Sequence, residues 1–464
     1  MVSHWVILIA FDAVLAVTSL FMAAVIRLGY FEVTYNLLKF NSIYTIIVFV
    51  LVLLFSAHLM EVYEFGRNTR KREILINILF STATSFSLLS VVYYLDPDVM
   101  LGRGVLAISL LLFALSQFCW HTIYLVGKNH PRFLQRVLVL GTGELAAQIG
   151  GMISSDRSNF TLVGYADCIG SEKPEPQRDN IPKLVPQESI LGDSTDLLST
   201  ALQMRADLIV VALSERRGLF PLSDVLRCKL NSIQIMDAPT LYEQIQGKLM
   251  LESITPSWFI FSQGFRRTTL FSFSKRTVDI LLSLSGLLLT LPFVPIIALA
   301  IKLDSKGPVL FSQLRVGNKE KKFLLYKFRS MRQDAELNTG AVWAEKNDPR
   351  VTSLGKFLRN SRVDEIPQLI NVLKGDMSFV GPRPERPEFV EKLKQVIPYY
   401  SKRHFIKPGL TGWAQVRYPY GASVDDAVEK LRYDLYYIKN ISPFLDTLIF
   451  FETIKVVLFG RGVR

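Results

Sequence analysis

Cysteine is scarce: the 464 residues contain three, Cys119, Cys168 and Cys228, and no two of them stand in a CxxC spacing. A disulfide framework and a thiolate zinc site both need more cysteines set closer together, so both are excluded and the three are read as buried or reduced thiols. Acid is also short, with 41 Asp and Glu against 53 Lys and Arg, a formal charge of +12. Only 20% of the chain is charged while 50% is hydrophobic, and the mean hydropathy is +0.27. A histone-like nucleic-acid binder would be basic without that apolar bulk, so nucleic acid is not an expected partner. Base combined with apolar bulk points instead to a membrane and to phosphate.

What is present begins with four apolar stretches, 5–26, 43–60, 74–95 and 105–126. Each is long enough to cross a hydrocarbon layer of roughly 30 Å at about 1.5 Å per residue. The first starts almost at Met1 with no basic n-region and three more follow it, so it is expected to remain as a helix. Arg67, Arg70, Lys71 and Arg72 follow the second stretch, Asp96 and Asp98 stand against Arg103 after the third, and Lys128, His130, Arg132 and Arg136 follow the fourth. Basic loops stay in the cytoplasm, which places the amino terminus and everything beyond residue 127 on that side. Asp12, inside the first stretch, has two readings: a functional intramembrane acid, or a group that pairs or snorkels near a helix end.

From Arg136 the run "RVLVLGTGELAAQIGGM" passes from a β-like pattern through Gly141, Gly143 and Ala146 into a helical one. This GxGxxA turn is the phosphate-binding bend of a Rossmann-like unit, and further β-like runs at 161–167 and 207–213 support an α/β sheet. Asp167 closes the second run, where it could hold a ribose hydroxyl. The alternative is a relic fold kept for packing or regulation. Membrane-bound sugar-nucleotide dehydratases and epimerases also join membrane spans to such a unit. They need a Tyr-x-x-x-Lys pair downstream of the turn, and here that spacing occurs only upstream, at Tyr35/Lys39 and Tyr124/Lys128.

A fifth apolar segment, 280–301, contains Pro292 and Pro295 and is flanked by Lys275 and Arg276 before it and Lys302 and Lys306 after it. Proline breaks the helix and the basic flanks keep both ends on one side, so a re-entrant helix is expected rather than a fifth span.

The last third carries the chemistry. In "GPVLFSQLRVGNKEKKFLLYKFRSM" (307–331) cations alternate with apolar residues, as in strands or an interfacial surface. Lys327 and Arg329, two apart, would share one face of a strand and reach one phosphate. In "LRNSRVDEIPQLINVLKGDMSFVGPRPERPEF" (358–389) the adjacent acids Asp364 and Glu365 precede Pro367, a residue favoured in a first helical turn. One carboxylate can attack phosphorus while its neighbour holds a hard divalent ion, Mg²⁺ or alternatively Mn²⁺. Arg359, Arg362 and Arg383 supply the forked donors that phosphate oxygens accept. The aromatic and apolar end, Tyr433, Tyr436, Tyr437 and then 444–459, reads equally as an interfacial helix or a packed core helix.

From Lys275 to about Gly421 the chain resembles the bacterial sugar transferase family, the monotopic polyprenyl phosphoglycosyl transferases. The pieces that carry the resemblance are "KRTVD", "GPVLFSQLRVG", "YKFRSM", "SRVDEIPQLINVLKGDMSFVGPRPE" and "KPGLTGWAQV". With the spans and the glycine turn ahead of them, nearly the whole chain resembles the long members that start exopolysaccharide or O-antigen units. The resemblance implies a two-step reaction. Asp364 attacks the β-phosphorus of a UDP-sugar, UDP-glucose or UDP-galactose by analogy, and releases UMP; undecaprenyl phosphate then takes the phosphosugar. It also implies that Glu365 holds Mg²⁺, that Arg383 cradles phosphate, and that Gly409, Thr411 and Gly412 lie near the nucleotide. Arg276, Asp279 and Pro292 would set the re-entrant geometry. Where many short members continue with Asn-Gly-Arg, this chain reads "RYPYGAS" (417–423), which leaves the role of Arg417 and the sugar open.

The expected architecture is a membrane protein of α plus α/β class. Four transmembrane helices (1–127) would precede a Rossmann-like middle domain (128–265) and a mixed α/β catalytic domain (266–464) with a re-entrant helix at 277–302. It would sit in the bacterial inner membrane with its catalytic domain on the cytoplasmic face, among membrane lipids and as a homodimer. Two other classes make different predictions: an epimerase or dehydratase would need a nicotinamide, and a nucleotide-sensing scaffold would tolerate Asp364→Asn.

Overall fold

The structure is a computed structural model that describes residues 4–29, 40–60, 62–63, 71–128, 134–155, 160–168, 184–193, 196–213, 220–254, 256–262, 264–265, 268–332, 348–418, 421 and 423–459. Arg67, Arg70, His130, Arg132, Tyr35 and Lys39 lie outside these residues. The chain is mixed helical and α/β, and divides into two compact units, Met1–Leu241 and Tyr242–Arg464.

The first unit opens with the helices His4–Leu28, Phe40–Leu59, Lys71–Leu95 and Arg103–Lys128. Among the described residues, Leu8–Leu28, Lys71–Leu95, Arg103–Leu125 and, in the second unit, Thr269–Asp304 are long and apolar enough to cross a membrane. The second expected span is the short one, Ile43–Leu59. At about 1.5 Å per residue it reaches only the lower limit of a crossing helix.

Asp12 is paired rather than free. It is fully buried, accepting from Gln117 Nε2 at 2.5 Å and lying 3.1 Å from His121 Nε2. Both partners are on Arg103–Lys128, so the acid fastens the first helix to the fourth. All three cysteines are free; Cys228 is buried, and Cys119 is exposed on the fourth helix.

A five-stranded parallel sheet follows, in the order β3-β2-β1-β4-β5, built from β1 (Gln135–Leu140), β2 (Phe160–Asp167), β3 (Ile190–Asp193), β4 (Leu208–Val211) and β5 (Gln234–Asp237). The unbroken apolar runs of β1 and β4 are buried, as strands covered on both faces must be. After β1 the chain turns at Gly141, whose φ of 126° suits glycine, and enters the helix Glu144–Ser154. Asp167 accepts from Thr142 Oγ1 at 3.1 Å, and Leu184 N donates to Thr142 O at 3.0 Å. The acid at the end of β2 is therefore joined to the glycine turn itself.

In the second unit the helix Thr269–Thr290, capped by Thr268, passes through a 3₁₀ turn at Leu291–Phe293 into Val294–Asp304. Pro292 lies in that turn. An antiparallel hairpin, β6 (Leu310–Val316) and β7 (Lys322–Phe328), comes next. Then follow the helices Ser353–Asn360 and Gln368–Lys374 and a short parallel pair, β8 (Ser378–Val380) and β9 (Gly409–Thr411).

The core beneath the pair gathers Val380, Trp413, Tyr433, Tyr437, Leu445, Leu448 and Ile449. The terminal helix Pro443–Phe459 packs one face into this core and leaves Phe444 and Val457 exposed.

Candidate active site

Helix Ser353–Asn360 begins at Thr352, whose hydroxyl accepts from Gly355 N, and packs so closely on the hairpin's end that a side chain at Gly355 would strike the Ser330 carbonyl. Two residues past its end Arg362 adopts φ 58°, reversing the chain into a 3₁₀ turn, Val363–Glu365. Pro367 then leads into Gln368–Lys374, which stops at Gly375 with φ 91°. Asp364 and Glu365 therefore stand just ahead of a helix, as Pro367 indicated, and are 6% and 8% exposed.

The two carboxylates have opposite surroundings. Glu365 Oε1 is 2.6 Å from Arg383 Nη2 and 3.5 Å from Lys327 Nζ, and its Oε2 is 3.6 Å from Arg362 Nη1. Burial alone would raise its pKa, but Arg383, Lys327 and Arg362 together hold it well below the usual carboxylate range. Among the described residues no hydrogen bond or ion pair engages Asp364. Burial and then the charge of Glu365 push its pKa up, against Lys327, Arg359 and Arg383. Lys327 is lowered to about 8, chiefly by burial and also by Arg383, despite the attraction of Glu365. The result is one cation-clamped acid, held ionised, beside one buried acid that has no hydrogen bond or ion pair among the described residues, two carboxylates with separated environments.

Of the phosphate-binding residues read from sequence, Lys327, Arg362 and Arg383 converge on Glu365. Arg359 donates through Nε to Ser330 Oγ at 2.9 Å and acts on Asp364 through its charge. Lys327 reaches Glu365, whereas Arg329, one residue past the end of β7, is buried and donates through Nη2 to Ser305 O at 2.6 Å and Ile301 O at 3.3 Å. It fastens the end of Val294–Asp304.

Gly409, Thr411 and Gly412 sit against Gly381. Gly381 N donates to Thr411 O and Gly409 N to Pro382 O, each at 2.9 Å, and a Cβ on Gly409 or Gly412 would strike the Gly381 backbone. They set the position of the turn that carries Arg383.

Arg276 donates to Val372 O and Leu373 O, each at 2.6 Å, and Asp279 accepts from Phe379 N at 2.8 Å and Ser378 Oγ at 3.1 Å. Both tie the apolar helix to the catalytic elements. Arg417 stacks on Trp413, 4.2 Å from the ring centre.

Three contributors were not assigned from sequence. Asn371, fully buried, donates to Leu324 O at 2.7 Å and accepts from Tyr326 N at 3.1 Å, holding β7 against the helix that follows the acids. Arg403 and Asp434 form a buried ion pair at 2.8 Å behind Arg383. Only a polar residue amid an apolar helical pattern, as at Asn371, gave a signal.

The donor set suits a hard cation. Mg²⁺ takes one or two carboxylates and completes its shell with substrate phosphate and water, and a carboxylate has about four lone-pair positions. Glu365 keeps capacity beyond its three cations. Among the described residues there is no cluster of three or more acid, histidine or cysteine ligands.

The family model described as bacterial sugar transferase matches residues 270–460. The UDP-N-acetylgalactosamine-undecaprenyl-phosphate N-acetylgalactosaminephosphotransferase of Aeromonas hydrophila is 42% identical over 238 residues, 51% of this chain and 55% of that protein. The undecaprenyl-phosphate glucose phosphotransferase of Komagataeibacter xylinus is 33% identical over 338 residues, 71% of this chain and 60% of that protein. The UDP-glucose:undecaprenyl-phosphate glucose-1-phosphate transferase of Xanthomonas campestris pv. campestris is 32% identical over 341 residues, 71% of this chain and 69% of that protein. The chain thus spans between 55% and 60% of the length of the first two.

Proposed function

The chain belongs to the bacterial sugar transferase family, and on that premise we propose that it transfers a sugar 1-phosphate from a UDP-sugar to undecaprenyl phosphate. The observation that carries this reading is the contrast between Asp364, buried and unengaged, and Glu365, clamped by Arg383, Lys327 and Arg362. A carboxylate oxygen of Asp364 forms a bond to the β-phosphorus as the bond to UMP breaks, leaving an acyl phosphate that carries the sugar. An oxygen of undecaprenyl phosphate then attacks the same phosphorus and the aspartate leaves as a carboxylate.

Glu365 would hold Mg²⁺, which when bound neutralises diphosphate charge. Arg383 and Lys327 offer further positive charge to the oxygens that gain it, and Arg359 does the same from the side of Asp364. A dry, cationic pocket fixed before reaction stabilises such charge better than water does.

The segment Thr269–Asp304 enters and leaves the membrane on one side in this reading. It is supported by the anchoring of both ends to one unit. Arg276 and Asp279 bind residues 372, 373, 378 and 379, and Arg329 binds Ile301 and Ser305. A helix that crossed would carry one end away from those partners. The exposed apolar side chains between the anchors, including Leu288, Leu289, Leu291 and Ile296, would face acyl chains. The parallel sheet is read as a Rossmann-like unit. Asp167 accepts one hydrogen bond from Thr142, which ties it to the glycine turn, and we read the unit as serving packing or regulation. The membrane is read as the bacterial inner membrane, with both acids on its cytoplasmic face where UDP-sugars are made.

The test is UMP release by the purified full chain from UDP-glucose, UDP-galactose and UDP-N-acetylgalactosamine, with Mg²⁺ and undecaprenyl phosphate, beside Asp364→Asn. Release from one sugar, lost in the variant, supports the reading and names the donor. No release from any sugar, or full release by the variant, overturns it.

A further inference from the structure

The turn that carries Arg383 has two prolines, Pro382 and Pro384, and thus lacks two of the donors with which a turn could bond itself. Four consecutive carbonyls are instead held from outside. Pro382 O accepts from Gly409 N at 2.9 Å, Arg383 O from Arg403 Nη2 at 3.0 Å, Pro384 O from Arg315 Nη1 at 3.0 Å and Glu385 O from Val316 N at 2.9 Å. Three of these bonds come from elements flanking the turn. The fourth comes from Arg403, which is 6% exposed and sits in the segment Tyr400–Phe405.

The Arg403 guanidinium is itself oriented by two buried groups, the Tyr400 hydroxyl at 2.6 Å from Nη1 and Asp434 Oδ2 at 2.8 Å from Nη2. Asp434 is 2% exposed and projects from the helix Val424–Lys439. Burying such a pair is expensive and gives little net stability, so a role in placing the residue it touches is the better account of it.

We propose that Arg403, held by Asp434, is a positioning residue for the reaction: its guanidinium fixes the main chain of Arg383 and thereby the 2.6 Å contact of Arg383 with Glu365. The proposal rests on the transferase reading for its kinetic consequence, though the positioning can be observed without it. The fork of the guanidinium matters, because Nη2 donates to the Arg383 carbonyl and lies at ion-pair distance from Asp434 while Nη1 donates to Tyr400. An ammonium on a flexible stem cannot hold those three directions at once.

The experiment compares the full chain with Arg403→Lys, Asp434→Asn and Tyr400→Phe, using two readouts. The first is UMP release from the UDP-sugar that the wild type accepts, resolved into kcat and donor KM. The second is amide hydrogen exchange of residues 381–386. Misplacing a charged group by a fraction of an ångström lowers turnover rather than donor affinity. Arg403→Lys and Asp434→Asn should lose about tenfold or more in kcat with KM changed by less than about twofold, a loss that persists at temperatures where each variant is fully folded. Exchange in 381–386 should rise in both. Tyr400→Phe leaves Nη2 its partners and should behave as wild type in both readouts.

Unchanged exchange in Arg403→Lys and Asp434→Asn overturns the proposal, as does a kcat loss that Tyr400→Phe shares or that merely follows unfolding temperature. If the wild type releases UMP from no sugar, the transferase reading fails by itself and the exchange comparison alone decides the positioning.

Discussion

Arg383 Nη2 stands 2.6 Å from Glu365 Oε1, closer to that carboxylate than Lys327 at 3.5 Å or Arg362 at 3.6 Å. The shortest contact belongs to the residue in the turn whose four consecutive carbonyls are held from outside, and it keeps Glu365 ionised next to an acid that must stay unengaged. Glu365→Gln preserves the shape and removes the charge, leaving three cations without their counter-ion and a divalent ion without its protein ligand. UMP release should fall by at least about 100-fold, the order lost when a preorganised electrostatic group is removed. Near-normal turnover of Glu365→Gln across an Mg²⁺ titration would remove Glu365 from the machinery.

The pH dependence has a sign at each end. Asp364 attacks as a carboxylate, and its pKa is raised by burial and by Glu365, so kcat/KM should fall on acidification with a midpoint above the ordinary aspartate value of 3.8. Lys327 is lowered to about 8, so its charge and its pairing with Glu365 are lost as pH rises through that value, giving an alkaline limb. Arg keeps its charge there, and Lys327→Arg should move the limb to higher pH. A profile whose alkaline side is the same in Lys327→Arg as in the wild type assigns that limb to another group.

The acid pair was legible in the sequence because its signal is local: two carboxylates, a proline that starts a helix, and arginines within one turn of it. The apolar helices were legible for the same reason, and so were the glycine turn and the strand ending in Asp167. Partners far apart in the chain left no such pattern. Asp12 is 105 residues from Gln117, and nothing at either position announces the other. Arg403 and Asp434 lie on different helical segments and each reads as a solvated surface charge until packing encloses them. The contacts of Arg329 with Ile301 and Ser305 were hidden in the same way, since 24 and more residues separate the partners.

Asn371 tests how far the site depends on its support. Its side chain satisfies the Leu324 carbonyl and the Tyr326 amide on β7, and the residue is fully buried. Asn371→Ala leaves both backbone groups without a partner, at about 1–3 kcal/mol each. The unfolding temperature should drop markedly, and Lys327, next to Tyr326, should lose its register with Glu365. A variant as stable as wild type would mean that water or a strand shift replaces both bonds.

The re-entrant reading predicts labelling. With the three native cysteines replaced, single cysteines at Ser272, in the first turn of the apolar segment Thr269–Asp304, and at Lys306, just beyond its end, should react with an impermeant maleimide from the same side of sealed vesicles. Reaction from opposite sides would make the segment a crossing helix. It would also detach either Arg276 and Asp279 or Ile301 from the partners described above.

Asp434 separates stability from activity. Its pKa is raised to about 6, first by burial and then by Glu385, against the pull of Arg403 and Lys430. A folded-state pKa above the unfolded value of 3.8 gives a contribution to stability that is fully present below 3.8 and lost as pH rises through about 6. Ionising Asp434 therefore costs the folded state stability above about pH 6, relative to its protonated form. Asp434→Asn imitates the protonated side chain. It should be at least as stable as wild type near pH 7 and should lose the pH dependence of unfolding between about pH 4 and pH 6. A variant less stable than wild type at pH 7 would mean that the attraction to Arg403 outweighs the burial of the charge. If stability holds while turnover falls, the charge on Asp434 is kept for the orientation it gives Arg403 and, through it, the turn of Arg383.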